Sequence, residues 1–210
     1  MYIRIIFILA ILLCSCKNDH LYSIRKIKMR LVKQKTSDAY GCAVIHECDK
    51  LSPKIGLAIS LDKEYYEKGF LGIATLEQGK TGTFDKITEV NVYMMSESLV
   101  SDVTSLFKED TSLLRISYET YGYIADTSTR NDPCIQIDRF KNISDFINSV
   151  NENDDRSNGT QLSYNEAFFW IDMQSLTPSK KAPVVIQVVF KVRSSKKDKI
   201  EVYQELFRLS

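Results

Sequence analysis

A mainly β fold, an antiparallel immunoglobulin-like β-sandwich with one or two short helices in the connections, is what this sequence predicts. Three observations carry the expectation. Apolar residues recur at every second position in several stretches; polar, turn-prone segments separate them; and only two short segments show helical spacing.

The first sixteen residues stand apart from that pattern. Arg4 supplies a positive start, and Ile5 to Leu13 form an unbroken apolar run that stops before Lys17-Asn18-Asp19-His20. A spanning helix needs about 20 apolar residues, so this shorter run has the length and flanks of a removable signal segment. Leu13-Cys14-Ser15-Cys16 then resembles the lipobox of bacterial lipoproteins, where a small residue precedes the lipidated cysteine. Leu13 is too bulky for that place before Cys14, whereas Ser15 suits Cys16. Cys16 is therefore the expected lipidation site, with an ordinary cleaved leader or a short core helix as the plainer alternatives. The division that follows is residues 1–15 as signal peptide, 16–23 as lipidated cysteine and tether, and 24–210 as one β-rich domain. Lipid attachment contributes about 0.8 kcal/mol per buried CH₂, so the domain needs no membrane-binding surface of its own.

Beyond the tether, Ile24, Ile27, Met29 and Leu31 alternate with Lys28 and Arg30, which predicts a strand with one basic face. Lysines on such a strand discourage edge-to-edge pairing, and that reading is preferred to an anionic-lipid or polysaccharide contact. Ile55, Leu57, Ile59 and Leu61 give a second strand. Tyr65-Tyr66 and Gly69-Phe70 fall in a turn-rich connection toward Leu71, Ile73 and Leu76. Thr88, Val90, Val92 and Met94 share a face of a third strand. Leu99, Val103, Leu106 and Phe107 stand at helical spacing and predict a short amphipathic helix or helical turn. Leu113 to Tyr123 reads as strand, as do Ile135 and Ile137. Ile143, Phe146, Ile147 and Val150 predict a second helix, with Ser144 as its cap. Phe168-Phe169-Trp170-Ile171 predict a strand buried on both faces. Val184, Ile186, Val188, Phe190 and Val192 open a terminal hairpin that turns at Ser194 to Lys199 and returns through Ile200, Val202 and Glu205-Leu206-Phe207.

Charge excludes one class of function. With Arg4 removed in the leader, the 28 basic residues fall by one and equal the 27 acidic ones. A general nucleic-acid binder carries a basic excess, so no nucleic-acid partner is expected. Cys42 and Cys48 are close enough to bridge a tight turn, worth about 2–3 kcal/mol on chain-entropy grounds, with Cys134 left over or pairing with either.

Each motif with chemical promise has a plainer reading. Ala74-Thr75-Leu76-Glu77-Gln78-Gly79-Lys80-Thr81 fits a loose phosphate-loop pattern, but a phosphate loop feeds a helix, and Gly82-Thr83-Phe84-Asp85 predicts turn and then strand. Cys42, His46 and Cys48 invite a zinc site, yet structural zinc takes four ligands and only Cys134 is left to complete the set. No metal or cofactor is assigned. His20 and His46 are the two histidines, and no Gly-x-Ser-x-Gly elbow accompanies them, so no catalytic residue is assigned. Glu64, Glu67, Asp154 and Asp155 read as solvated acids, and Asn151 to Asp155 as a loop rather than a calcium site. Tyr65, Tyr66, Tyr121, Tyr123 and Trp170 could stack on sugars, though Trp170 sits in an apolar run and reads as core.

Taken with the lipobox, the first strand soon after the tether, Glu89-Val90-Asn91-Val92 before a polar segment and the Val184–Val192 hairpin, the chain resembles the cell-envelope lipoproteins of Bacteroidetes-type bacteria. That resemblance implies a domain without assigned activity, anchored at the outer membrane and facing either the periplasm or the exterior. The expected role is a non-catalytic binding or structural module, with an envelope protein or a glycan as partner. The rival is an exported carboxylate-dependent hydrolase acting on glycans. A third reading, a subunit of a surface fibre, predicts exposed edge strands.

Overall fold

The computed structural model describes residues 18–37, 43–67, 78–96, 99–111, 115–118, 135–136, 140–152, 166–174, 176 and 183–209. They form strands β1 (Asn18–Ser37), β2 (Ala43–Glu47), β3 (Lys54–Glu67), β4 (Gln78–Thr83), β5 (Lys86–Ser96) and β6 (Leu99–Asp102). A single 3-10 turn, Thr104–Leu106, comes next. Then follow β7 (Arg115–Tyr118), β8 (Ile135–Gln136), helix α1 (Ile143–Glu152), β9 (Glu166–Asp172), β10 (Val184–Ser194) and β11 (Lys199–Leu209). The fold is mainly β. One sheet runs β8-β7-β2-β1-β3-β9, with β4 also on β1; the other runs β11-β10-β5-β6. Pairing is antiparallel except at β1–β4 and β2–β7, which are parallel.

Alternation explains the main core, and two bulges explain where alternation slips. In β1 the side chains in the main core are Tyr22 and Ile24, then Ile27, Met29 and Leu31. The change from even to odd numbers falls at Arg25, where the register against β3 shifts between Ile24 and Lys26. One extra residue moves every later side chain to the other face, and Arg25 absorbs it. Ile27, Met29 and Leu31 then face Leu61, Ile59 and Leu57 across the ladder. In β5 a second irregularity skips Thr88, pairing Glu89 with Lys191 and Ile87 with Val192. Ile87, not Thr88, joins Val92 and Met94 inside; Thr88 is exposed. With Val184, Ile186, Val188, Phe190 and Val192 of β10, the two sheets close on one continuous apolar core. Each such side chain contributes about 1.5–3 kcal/mol on full burial.

The opposite face of β1, β3 and β9 carries a second buried patch. Val32, Gly56 and Trp170 stand in one row across the strands, and Ala58 and Phe168 in the next. Phe168 to Ile171 are thus buried on both faces, as their composition predicted. Gly56 is required here: a Cβ on it would lie 2.8 Å from Trp170 Cζ3 and 2.8 Å from Val32 Cγ2. The Lys54 ammonium lies 5.8 Å from the indole centroid and shields its rim.

Helix α1 docks through Ile143, Phe146, Ser149 and Val150. The Phe146 ring meets Phe140 edge-on at 5.2 Å and lies 6.3 Å from Phe169 of β9. Its cap is Asn142 rather than Ser144, because Asn142 Oδ1 accepts the Asp145 amide at 2.9 Å. Asp145 returns the bond by accepting the Lys141 amide at 3.0 Å, a near-reciprocal cap. At the far end Asn151 pins the helix to β5, accepting from the Ile87 amide at 2.9 Å and donating to its carbonyl at 2.8 Å.

Three further expectations change. Residues 18–23 are not tether: β1 starts at Asn18, and Tyr22 is buried because β3 and β4 flank it on both sides. Of Leu99 to Phe107, the helical turn is confined to the 3-10 turn at Thr104–Leu106, and Leu99–Asp102 is strand β6. Val103 and Phe107 are buried, while Leu99 and Leu106 stay exposed. The Cys42–Cys48 bridge fails at Cys48, which is a buried free thiol. Residues 43–47 run as an extended strand, at about 3.3 Å per residue, rather than as the tight turn such a bridge would close. Cys42 and Cys134 lie outside the described residues.

Candidate functional site

Among the described residues, the outer face of the β11-β10-β5-β6 sheet carries a row of exposed aliphatic side chains. Because β10 alternates strictly, its second set of side chains, Val185, Gln187, Val189 and Lys191, points away from the core and is half-buried. β11 extends that face with Ile200, Val202, Gln204, Leu206 and Arg208, all exposed. Ile200 is 52%, Val202 56% and Leu206 54% exposed, a high value for branched aliphatic side chains on a regular strand. A sheet with one covered face normally shows polar residues on the other; here three aliphatics interrupt that rule. The Lys191–Glu89 ion pair, 2.7 Å, lies beside Val202 on the same face. The Lys191 ammonium, with Asn91, holds the Glu89 carboxyl below its ordinary range. Among the described residues no strand follows β11 in the sheet order.

A second polar cluster joins the two sheets. Asp85, 1% exposed, sits in the turn between β4 and β5. One carboxylate oxygen accepts the Ile24 amide of β1 at 2.7 Å; the other accepts the Ser195 amide of the β10–β11 turn at 2.9 Å and its hydroxyl at 3.4 Å. The Asp85 amide donates to Thr83 Oγ1 at 3.0 Å, which fixes the turn. Tyr203 of β11 reaches the same region, its hydroxyl 3.0 Å from Glu201 Oε2 and 3.3 Å from the Ile24 carbonyl. Burial, then the Glu201 hydrogen bond and charge and the Asp85 charge, push the Tyr203 phenol up to about 12. Lys197 holds the Glu201 carboxyl below its usual range. Asp85 is the one acid in the buried class among the described residues, and main-chain amides engage both its oxygens. It is a fastener between sheets.

The residues singled out by sequence separate widely. Cys16, Tyr121, Tyr123, Asp154 and Asp155 lie outside the described residues. His20 and His46 occupy β1 and β2, and Tyr65, Tyr66 and Glu67 belong to β3 rather than to a turn. Glu64 accepts from Ser23 Oγ at 3.5 Å and pairs with Lys196 at 3.4 Å on the surface. Gly79-Lys80-Thr81 lie within β4, so the helix N-terminus that a phosphate loop needs is not formed there. Trp170 is buried. Burial pushes the Cys48 thiol up, and its Sγ–H donates to the Lys50 carbonyl at 3.1 Å, the reverse of a nucleophile's setting. Asn151, read as loop, closes α1. Among the described residues no cluster of three or more His, Cys, Asp or Glu could hold a metal ion, and no helix is long and apolar enough to cross a membrane.

Sequence reasoning missed both places. Thr83-x-Asp85, a turn signal in which the threonine hydroxyl accepts the Asp85 amide, was the hint for the fastener. For the outer face the hint was that β11 places Glu201 and Glu205 on the core side and aliphatics on the other. No family model, no curated protein and no solved structure matches the chain.

Proposed function

We propose that this chain is a cell-envelope lipoprotein of the Bacteroidetes type, anchored through an acylated Cys16, whose domain is a non-catalytic binding module. In this reading the two sheets stack as a β-sandwich of broadly immunoglobulin-like kind, and the outer face of β10 and β11 docks a protein. The observation that carries it is the exposed aliphatic row Ile200, Val202 and Leu206 on an ordered strand. Apolar side chains gathered on one exposed face mark interaction surfaces more often than solvated ones. A protein suits this face better than a glycan, because sugars stack on aromatic rings and the row is aliphatic. The anchor rests on Leu13-Cys14-Ser15-Cys16 alone. Mass spectrometry of the protein extracted from its native membrane tests it: fatty acid on an N-terminal Cys16 is expected. A Cys16→Ala variant that still partitions with membranes would overturn the anchor. For the surface, a Leu206→Lys variant that retains every cross-linked partner of the native chain in the envelope would overturn the docking face.

A further inference from the structure

We infer that a second copy of the same chain joins this one strand to strand along the β11 edge of that face, in an antiparallel register centred on Gln204. The inference rests on the reading of this face as a docking surface and deepens it by naming what continues the face across its β11 edge, where the exposed aliphatics of the two copies come side by side.

Edges of β-sheets present unpaired amides and carbonyls, and folds usually blunt them. Among the described strands the other four edges are short or covered. β8, β6 and β4 are only two, four and six residues long, β4 with an irregular register on β1, and β9 exchanges main-chain bonds with Lys108 in both directions. β11 differs: it is eleven residues long and regular, and it ends its sheet. Of its two core-side acids, Glu201 is already neutralised within the chain by Lys197 at 2.6 Å and Lys199 at 3.6 Å, so it does not guard the edge as a free charge.

The sequence of β11 selects its own partner. Sheet continuation keeps each side chain on its face, so residues of like parity must oppose one another. Centring the pair on Gln204 overlaps the whole strand, Lys199 against Leu209 through to Leu209 against Lys199. Val202 then opposes Leu206 of the second copy twice, Ile200 opposes Arg208, and no like charges meet. Centring on Tyr203 sets Glu201 against Glu205 twice, and centring on Glu205 sets that acid against itself; directly opposed like charges destabilise. Centring on Val202 leaves the strand beyond Glu205 unpaired. The Gln204 register alone combines full overlap with compatible neighbours, and it closes as a two-fold dimer rather than propagating as a fibre.

The full chain, purified in detergent, is tested by sedimentation and by cross-linking. The native protein should sediment as a dimer that dissociates on dilution. Gln204→Cys, whose two copies would meet at the axis, should form a disulfide-linked dimer under mild oxidation, while native protein and a Thr88→Cys control should not. Val202→Lys combined with Leu206→Lys opposes lysines in two places and should weaken the dimer about tenfold or more, with its circular dichroism unchanged. A chain that stays monomeric at about 100 µM, or a dimer indifferent to the double lysine change, overturns the inference. A dimer weakened by lysines in which Gln204→Cys fails to cross-link overturns the register. A monomeric chain that loses a different envelope protein on Leu206→Lys removes the second copy and leaves the docking face standing. Lipid analysis at Cys16 is independent of all these outcomes.

Discussion

Removing the Asp85 carboxylate should cost this protein a large part of its stability. Its two oxygens accept main-chain amides 61 and 110 positions away, so one side chain ties β1 to the β10–β11 turn. In Asp85→Ala the Ile24 amide loses its partner at a buried site, whereas Ser195 is exposed and its amide can turn to water. An orphaned buried donor costs about 1–3 kcal/mol and a lost hydrogen bond whose donor is rehydrated about 1 kcal/mol, which puts the pair at about 2–4 kcal/mol. Whole domains are stable by about 5–15 kcal/mol. Asp85→Asn keeps the shape and one acceptor but turns an NH₂ toward the other amide, so about half that loss is expected. Urea unfolding followed by fluorescence of Trp170, the single tryptophan and a buried one, measures both. At about 2 kcal/mol per molar urea, the alanine midpoint should fall by about 1–2 M. A loss under about 1 kcal/mol for alanine, or an asparagine variant as weak as the alanine one, would refute the fastener.

Two further outcomes are expected. Gly56→Ala must push its methyl against Trp170 and Val32; overpacking of this kind costs about 1–3 kcal/mol, and a Val32→Ala change made alongside should recover part of it in the same urea assay. The Tyr203 phenol is raised to about 12 in the fold, against about 10 in the unfolded chain. Above pH 10 the unfolded state gives up this proton first, so stability from this group is complete below pH 10 and declines toward pH 12. A Tyr203→Phe variant should lack that alkaline slope in denaturation midpoints measured from pH 9 to 12.

What the sequence made legible was local and periodic. Val184 to Val192 and Phe168 to Ile171 announced their strands because side-chain direction in a strand follows from position alone. The slips at Arg25 and Thr88 were not legible, since a bulge is chosen by the partner strand and only appears as a broken count. Leu99 to Phe107 misled because four apolar residues at helical spacing can also be divided between a strand end and a 3-10 turn. Asp85 looked like one more turn residue; its burial depends on Ile24 and Ser195, far along the chain. The returning strand was visible through Ile200 and Val202, but alternation cannot say which face of a sheet another layer covers.

The early start of β1 bears on how a paired molecule could sit on lipid. Asn18 is two residues past Cys16, and a chain reaches at most about 3.6 Å per residue, so an acyl group there would leave a leash of about 7 Å. Through Asp85, the Ser195 end of the β10–β11 hairpin lies beside Ile24, six residues along β1 from where that leash attaches. Two copies turned about Gln204 would carry their leashes at opposite ends of an eight-stranded plate. Both could reach the same bilayer only with the plate lying flat along it, like a plank held down at its two ends; standing upright, it would have to bridge two bilayers.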